Sequence, residues 1–331
     1  MSVQALVTSR WLVEAAKLRH KKLCILDTSW YWPKARRSAK SEFRGGHIPG
    51  SAFLDLDECC DRTSPLEHML PSERDFADYV GRLSVDEDTH VVVYDASDFG
   101  AFSAPRAWWM FRVFGHSRVS VLDEVLSNWR REGRPVSDER VRPQPGEFKV
   151  SLNRSCVKTY QDLVDNLDSK EFQVVDGRPT GRFRGLEPEP RDNTEPGHIP
   201  GSISMPFRSF LSPSGHFLPK ERLRALFSWA GVDLGRPVCV SCASAVTACH
   251  VALAAHRCGH PGVAVYDGGW SEWYARAMPE NVVSEGRGVG EVGADKRETT
   301  RERTRAREKA RRRHGRLKSN PKSATVTRGE C

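Results

Sequence analysis

Short blocks of apolar residues alternate with longer amphipathic ones along this chain. Leu23-Cys-Ile-Leu-Asp27 is a continuous apolar run closed by an acid, the pattern of a strand buried on both faces. His90-Val-Val-Val-Tyr94 and Val119-Ser-Val-Leu-Asp123 share it. Residues 3–19 follow a helical period, with Trp11, Leu12, Ala15, Ala16 and Leu18 on one side. A second helix is predicted from Ser72 to Leu83 and an aromatic third from Ala107 to Phe114, with 95–105 as a loop. Further on, Pro237 to Val240 predicts a strand and Val246 to Cys258 an Ala- and Leu-rich helix, with Gly259 as its stop.

The second half of the chain repeats the first. Phe172-Gln-Val-Val-Asp176 matches Cys24-Ile-Leu-Asp27, and Gly197-His198-Ile-Pro-Gly201-Ser matches Gly46-His47-Ile-Pro-Gly50-Ser. Gly259-His to Asp267 and Trp273 match Gly115-His to Asp123 and Trp129 at identical spacing. A period near 150 residues means a duplicated domain rather than a solenoid. Strands alternating with helices predict an α/β fold with a mostly parallel sheet in each copy. The predicted organisation is a first domain over 1–142, a Pro- and Gly-bearing linker over 143–156, a second domain over 157–288 and a tail over 289–331.

Charge sharpens that division. The 43 residues after Gly288 hold 14 Lys and Arg against 6 Asp and Glu, a net +8 that equals the charge of the whole chain. The folded part is therefore balanced. The tail has almost no large apolar residues and predicts a disordered basic segment, whose arginine runs suit weak, salt-sensitive binding of anionic partners. No apolar run approaches the roughly 20 residues of a membrane span. The nine cysteines follow no framework spacing and read as reduced thiols of an intracellular compartment. Residues 1–22 combine Arg10, Lys17, Arg19, Lys21 and Lys22 with Glu14, which leaves mitochondrial matrix and cytoplasm both open.

The candidate chemistry centres on Cys242. It stands between the predicted strand and the N-terminus of the predicted helix, where unpaired N–H groups and the positive end of the helix dipole favour thiolate. Buried packing is the plain alternative. Zinc does not fit: Cys239 and Cys242 straddle a strand end, while Cys249 and Cys258 lie on an apolar helix. A C-x5-R phosphate loop would need arginine where Ala248 stands. No metal or cofactor is called for. The repeat adds an argument of its own, because Asp95 holds the matching position in the first copy and a carboxylate cannot be a sulfur nucleophile. The His-Ile-Pro-Gly elements occur in both copies and read as structural turns.

The stretch Cys242 to Leu253, with Val265-Tyr-Asp-Gly-Gly-Trp270-Ser-Glu-Trp273, resembles the active-site segment of the rhodanese superfamily, in its two-domain branch of mercaptopyruvate and thiosulfate sulfurtransferases. The resemblance runs from about Val3 to Gly288. It implies two tandem domains, the second catalytic, and a Cys242 persulfide that passes sulfur from a small-molecule donor to small thiols, cyanide or a dithiol such as thioredoxin. In the thiosulfate branch Arg and Lys follow the cysteine; Ala243-Ser244-Ala245 is similar to the mercaptopyruvate branch, so mercaptopyruvate is the expected donor and thiosulfate the alternative. The resemblance further implies that Arg182 and Arg191 hold the donor's carboxylate and ketone. Ala243, Ala245, Val246 and Thr247 are implied to line the donor site. Asp57 and His68 are implied to form a relay with Ser244, which would set the site between the domains. Both branches carry Gly where this chain has Ala245, a departure that matters if the position needs a positive φ. A non-catalytic binding module is the alternative from another class. Without the resemblance, the two arginines read as surface ion pairs to Glu187 or Glu189.

Overall fold

A computed structural model describes residues 3–18, 22–98, 100–260 and 262–286. The predicted tail, 289–331, lies outside the described residues. The first half contributes β1 (Leu6–Val7), α1 (Ser9–Lys17), β2 (Leu23–Asp27), α2 (Ala39–Gly45), β3 (Ala52–Phe53), α3 (Glu73–Gly81), β4 (His90–Tyr94), α4 (Ala104–Val113), β5 (Val119–Leu122) and α5 (Leu126–Arg131). The second repeats the order with β6 (Val157–Lys158), α6 (Tyr160–Ser169), β7 (Gln173–Asp176), α7 (Thr180–Arg184), β8 (Ile203–Ser204), α8 (Lys220–Trp229), β9 (Val238–Ser241), α9 (Ala248–Arg257), β10 (Ala264–Tyr266) and α10 (Gly269–Arg276).

Each half builds a five-stranded parallel sheet, ordered β1-β5-β4-β2-β3 and β6-β10-β9-β7-β8. The central strands β4 and β9 pair on both sides, and helices cover both faces, so their apolar runs are continuous rather than alternating. Val91, Val92, Val93 and Tyr94 are all 0 % exposed, which is why valine can occupy successive positions there. At the C-terminal ends of β4 and β9 the chain turns into α4 and α9, and these two helices pack against each other across the domain boundary. One apolar cluster runs through that contact, from Trp108 and Phe111 to Val251 and Leu253. Open parallel sheets bind ligands beyond the carboxyl ends of their strands, and here those ends face the seam between the domains.

Two predicted boundaries shift by three residues or more. The helix expected over 3–19 begins only at Ser9, because Leu6 and Val7 pair with Val121 and Leu122 as an edge strand and Thr8 caps the helix through Trp11 N–H. The aromatic helix starts at Ala104 rather than Ala107, since Pro105 is tolerated in a first turn that lacks internal N–H partners. The segment 143–156 is held to the first domain, with Gly146 N–H on Gly81 O at 2.9 Å and Phe148 buried against Phe76 and Phe111. Among the described residues no helix is long and apolar enough to cross a membrane, and the eight cysteines are free thiols.

Candidate active site

Cys242 follows the last residue of β9 and is 2 % exposed. The turn after it is pinned by α10: Trp270 N–H donates to the Cys242 carbonyl at 2.7 Å, and Ser271 donates to the Ala243 carbonyl through N–H and Oγ at 3.2 and 2.9 Å. In a trans peptide the next N–H points opposite to the carbonyl, so Ala243 and Ser244 direct their N–H groups away from α10. Among the described residues, the N–H groups of Ala243 to Thr247 have no hydrogen-bonded acceptor. The α9 N-terminus adds its dipole behind them. Gly269 makes the tie to α10 possible, because at φ +56 an added Cβ would stand 2.5 Å from the Cys242 carbonyl oxygen.

The first copy shows what such a cradle holds. Asp95 follows β4 as Cys242 follows β9, and its carbonyl accepts from Leu126 N–H of α5 at 3.1 Å, as that of Cys242 accepts from α10. Its Oδ2 receives the N–H groups of Phe102, Ser103 and Ala104 at 2.7, 2.9 and 2.9 Å, and Oδ1 receives Ser97 N–H at 3.1 Å. Burial still pushes this carboxyl above the usual aspartate range, against those four bonds. The first copy thus fills its anion site with its own side chain, and the second leaves the equivalent place to a sulfur.

His68 and Arg191, from distant parts of the chain, meet at Ser244, and Asp57 stands behind His68. His68 Nδ1 lies 3.2 Å from Ser244 Oγ and His68 Nε2 lies 3.2 Å from Asp57 Oδ1. A carboxylate accepts, so the consistent tautomer carries its proton on Nε2 and takes the Ser244 hydroxyl proton at Nδ1. Arg191 Nη2 donates to Ser244 Oγ at 2.9 Å. Asp57 also accepts the Trp30 indole N–H at 3.0 Å, and the Trp30 ring meets that of His68 edge-on at 4.7 Å. The bond from His68 holds the Asp57 carboxyl below the ordinary aspartate range. The His68 side chain is 2 % exposed, so the imidazole is shielded while Asp57 stays near water.

The comparisons with known proteins give the family. The family model for the rhodanese-like domain matches residues 12–132 and 159–276. The chain belongs to the rhodanese family. It is 55 % identical to 3-mercaptopyruvate sulfurtransferase of Homo sapiens over 86 % of this chain and 97 % of that one. Thiosulfate sulfurtransferase of Bos taurus is 52 % identical at the same coverage. Among solved structures, SseA from Escherichia coli, described as a 3-mercaptopyruvate sulfotransferase, aligns with a TM-score of 0.73 and 36 % identity over 81 % of this chain and 99 % of that one. Identities of 55 % and 52 % do not separate the two donor branches of the family, so the donor is decided by the site.

This rhodanese chain places its other predicted site residues in different ways. Arg191 is not paired with Glu187 or Glu189: it meets Glu67, from the first domain, and lies over the Trp32 ring at 4.8 Å. Its Nη1 is buried with no partner in the described structure. Glu189 is taken by Arg178, which is itself buried on Asp176. Arg182 is half-buried on α7, past the end of β7, and its guanidinium has no hydrogen bond or ion pair among the described residues. Ala245 and Val246 are 0 % and 3 % exposed, so their side chains are core and only their N–H groups face the cradle. Ala243 is buried and Thr247 is partly exposed. Ala245 sits at φ +58, in the left-handed region, which costs an alanine about 1 kcal/mol. His47 and His198 are structural: each stacks on a phenylalanine, Phe43 and Phe183, and bonds that residue's carbonyl at 2.7 and 2.8 Å. Sequence reasoning missed Glu67, Trp30 and Arg106; an arginine inside the aromatic run Pro105 to Phe111 is the signal that Arg106 gives.

Proposed function

We propose that this chain transfers sulfur from 3-mercaptopyruvate through a persulfide on Cys242 to a small thiol, cyanide or a dithiol protein such as thioredoxin. Ser244, set between an imidazole and a guanidinium, is the observation that carries the reading. Arg191, with its unpartnered Nη1, and Arg182, with its unpaired fork, suit the carboxylate and ketone of a 2-oxo acid. The Cys242 thiolate attacks the donor's sulfur, and the S–C bond breaks. Its electron pair passes into the enolate of pyruvate, which takes a proton from Ser244; the donor thiol's own proton, lost as the persulfide becomes an anion, replaces it on the serine, with the unprotonated His68 Nδ1 as the relay. The persulfide's terminal sulfur is anionic and suits the turn of residues 243–247, whose N–H groups have no acceptor among the described residues. An acceptor nucleophile then attacks that sulfur and restores the thiolate; a dithiol acceptor closes to a disulfide and releases hydrogen sulfide.

Thiosulfate carries two negative charges and no carbonyl to protonate. The residues after Cys242 offer it no cation, and a hydroxyl held by His68 gives it nothing to use. Steady-state kinetics with both donors and cyanide as acceptor test the assignment. A kcat/KM at least ~10-fold higher for mercaptopyruvate is expected, since one lost charge contact is worth that much or more. A preference for thiosulfate contradicts it.

A further inference from the structure

The first domain sends a fully buried cation to the seam, and the chemistry above does not use it. Arg106 lies in the first turn of α4 and is 0 % exposed, beside Trp108, Trp109 and Met110. A guanidinium in such surroundings persists only where its partners are fixed. Nη1 donates to Asp267 Oδ1 at 2.7 Å, and Nη2 donates to the backbone carbonyl of His68. Asp267 belongs to the second domain, in the Asp-Gly-Gly-Trp turn whose Trp270 N–H holds the Cys242 carbonyl. Its other oxygen accepts Leu70 N–H at 2.7 Å. The backbone is therefore clamped at His68 and again two residues on, and both clamps lead to the turn that fixes Cys242. His68 itself is at φ +60, a conformation a histidine keeps only when its surroundings impose it. The guanidinium lies over the Trp109 ring at 4.6 Å, and its Nε has no partner among the described residues.

We propose that Arg106 is a positioning residue for sulfur loading: with Asp267 it locks residues 68–70 to the catalytic turn, so that His68 Nδ1 stays on Ser244 when the donor enters. This deepens the proposed function and rests on the Ser244–His68 relay. Domain adhesion alone is the competing explanation, since an ion pair across a seam also joins the two halves. The two differ in what they change. A positioning role predicts a loss in kcat that disappears once His68 is gone. Adhesion predicts a loss that is independent of His68 and reaches every property of the site.

The test is a double-mutant cycle on the full chain, with mercaptopyruvate as donor and cyanide as acceptor. Arg106→Met is expected to lower kcat by ~30- to 100-fold, as a small misplacement of a reacting group does, with KM within about twofold because Arg182 and Arg191 are untouched. Arg106→Lys recovers part of the loss, since an ammonium can keep Asp267 but cannot span to the His68 carbonyl as well. Added to His68→Ala, either change costs less than about twofold more. The rate of Cys242 alkylation by iodoacetamide, followed by peptide mass, stays within about twofold in every variant. Losses that multiply in the double variant, or alkylation that changes in parallel with kcat, overturn the proposal. If Arg106→Met does not fold, the Arg106→Lys cycle decides by the same criteria. Full turnover in His68→Ala overturns the relay and this proposal together, whereas a costly His68→Ala with multiplying losses overturns the proposal alone.

Discussion

Asp95 and Cys242 follow equivalent strands, precede equivalent helices and have their carbonyls held by equivalent amides, yet one site is closed and the other open. In the first copy α4 begins nine residues after the acid, and the loop folds its N–H groups back onto the carboxylate. In the second copy Ala248 begins α9 only six residues after Cys242, and the N–H groups of the turn remain free. A short, acceptor-poor turn makes an anion site, and the same turn with a carboxylate inside makes a helix cap. Closing the first site was not idle. The carboxylate fixes the N-terminus of α4, and Arg106 sits in that turn. One copy provides the nucleophile and the other a rigid arm directed at it.

The comparison can be broken by moving the nucleophile. Asp95→Cys combined with Cys242→Ser is expected to show no turnover, at least ~10³-fold below the parent, because neither Arg182 nor Arg191 is there and Ser97, the counterpart of Ser244, donates to the Gly100 carbonyl rather than to an imidazole. Detectable sulfur transfer in that variant would mean that a cysteine at a strand end is enough. Next in size are the arginines of the open site. Arg191→Ala and Arg182→Ala should each raise KM for mercaptopyruvate by ~30-fold or more, with lysine restoring only part, because a point charge cannot reproduce a bidentate fork. Unchanged kinetics in both would remove them from the donor site.

The closed site is tested through stability. Asp95→Ala orphans four buried N–H groups and should cost about 3 kcal/mol in urea unfolding. The sign of its pH dependence follows from burial. The folded carboxyl holds its proton to higher pH than the unfolded one, so this group's contribution to stability falls as pH rises from about 4 through the raised value. Asp95→Asn cannot ionise and should lack that slope; identical slopes in the two proteins would contradict the buried, raised carboxyl. The smallest effect belongs to Ala245. Glycine there removes about 1 kcal/mol of left-handed strain but adds freedom to the unfolded chain, so Ala245→Gly should gain only about 0.5 kcal/mol, with turnover within about twofold.

Sequence pattern revealed the sheets because parallel strands covered on both faces read as unbroken apolar runs, and the repeat doubled each signal. Leu6 and Val7 gave no such signal; two residues at an edge have no period, and the helical pattern after them absorbed them. Cys242 was legible from its place between strand and helix. His68 was not, since it sits in a stretch without periodicity and meets Ser244 across 176 residues. Only the resemblance, carried residue by residue, named that pair. The Arg106–Asp267 pair spans 161 residues and belongs to no motif, so it became visible only when the α4–α9 contact brought the two turns together.

The persulfide itself is the most direct test of the account. The protein is incubated with mercaptopyruvate without acceptor, and its intact mass is measured for the parent and for each single Cys→Ser variant. One added sulfur, about 32 Da, is expected in the parent and in every variant except Cys242→Ser, and it should be lost on adding cyanide. An adduct that persists in Cys242→Ser, or a parent that turns over with no sulfur on Cys242, would contradict the central claim.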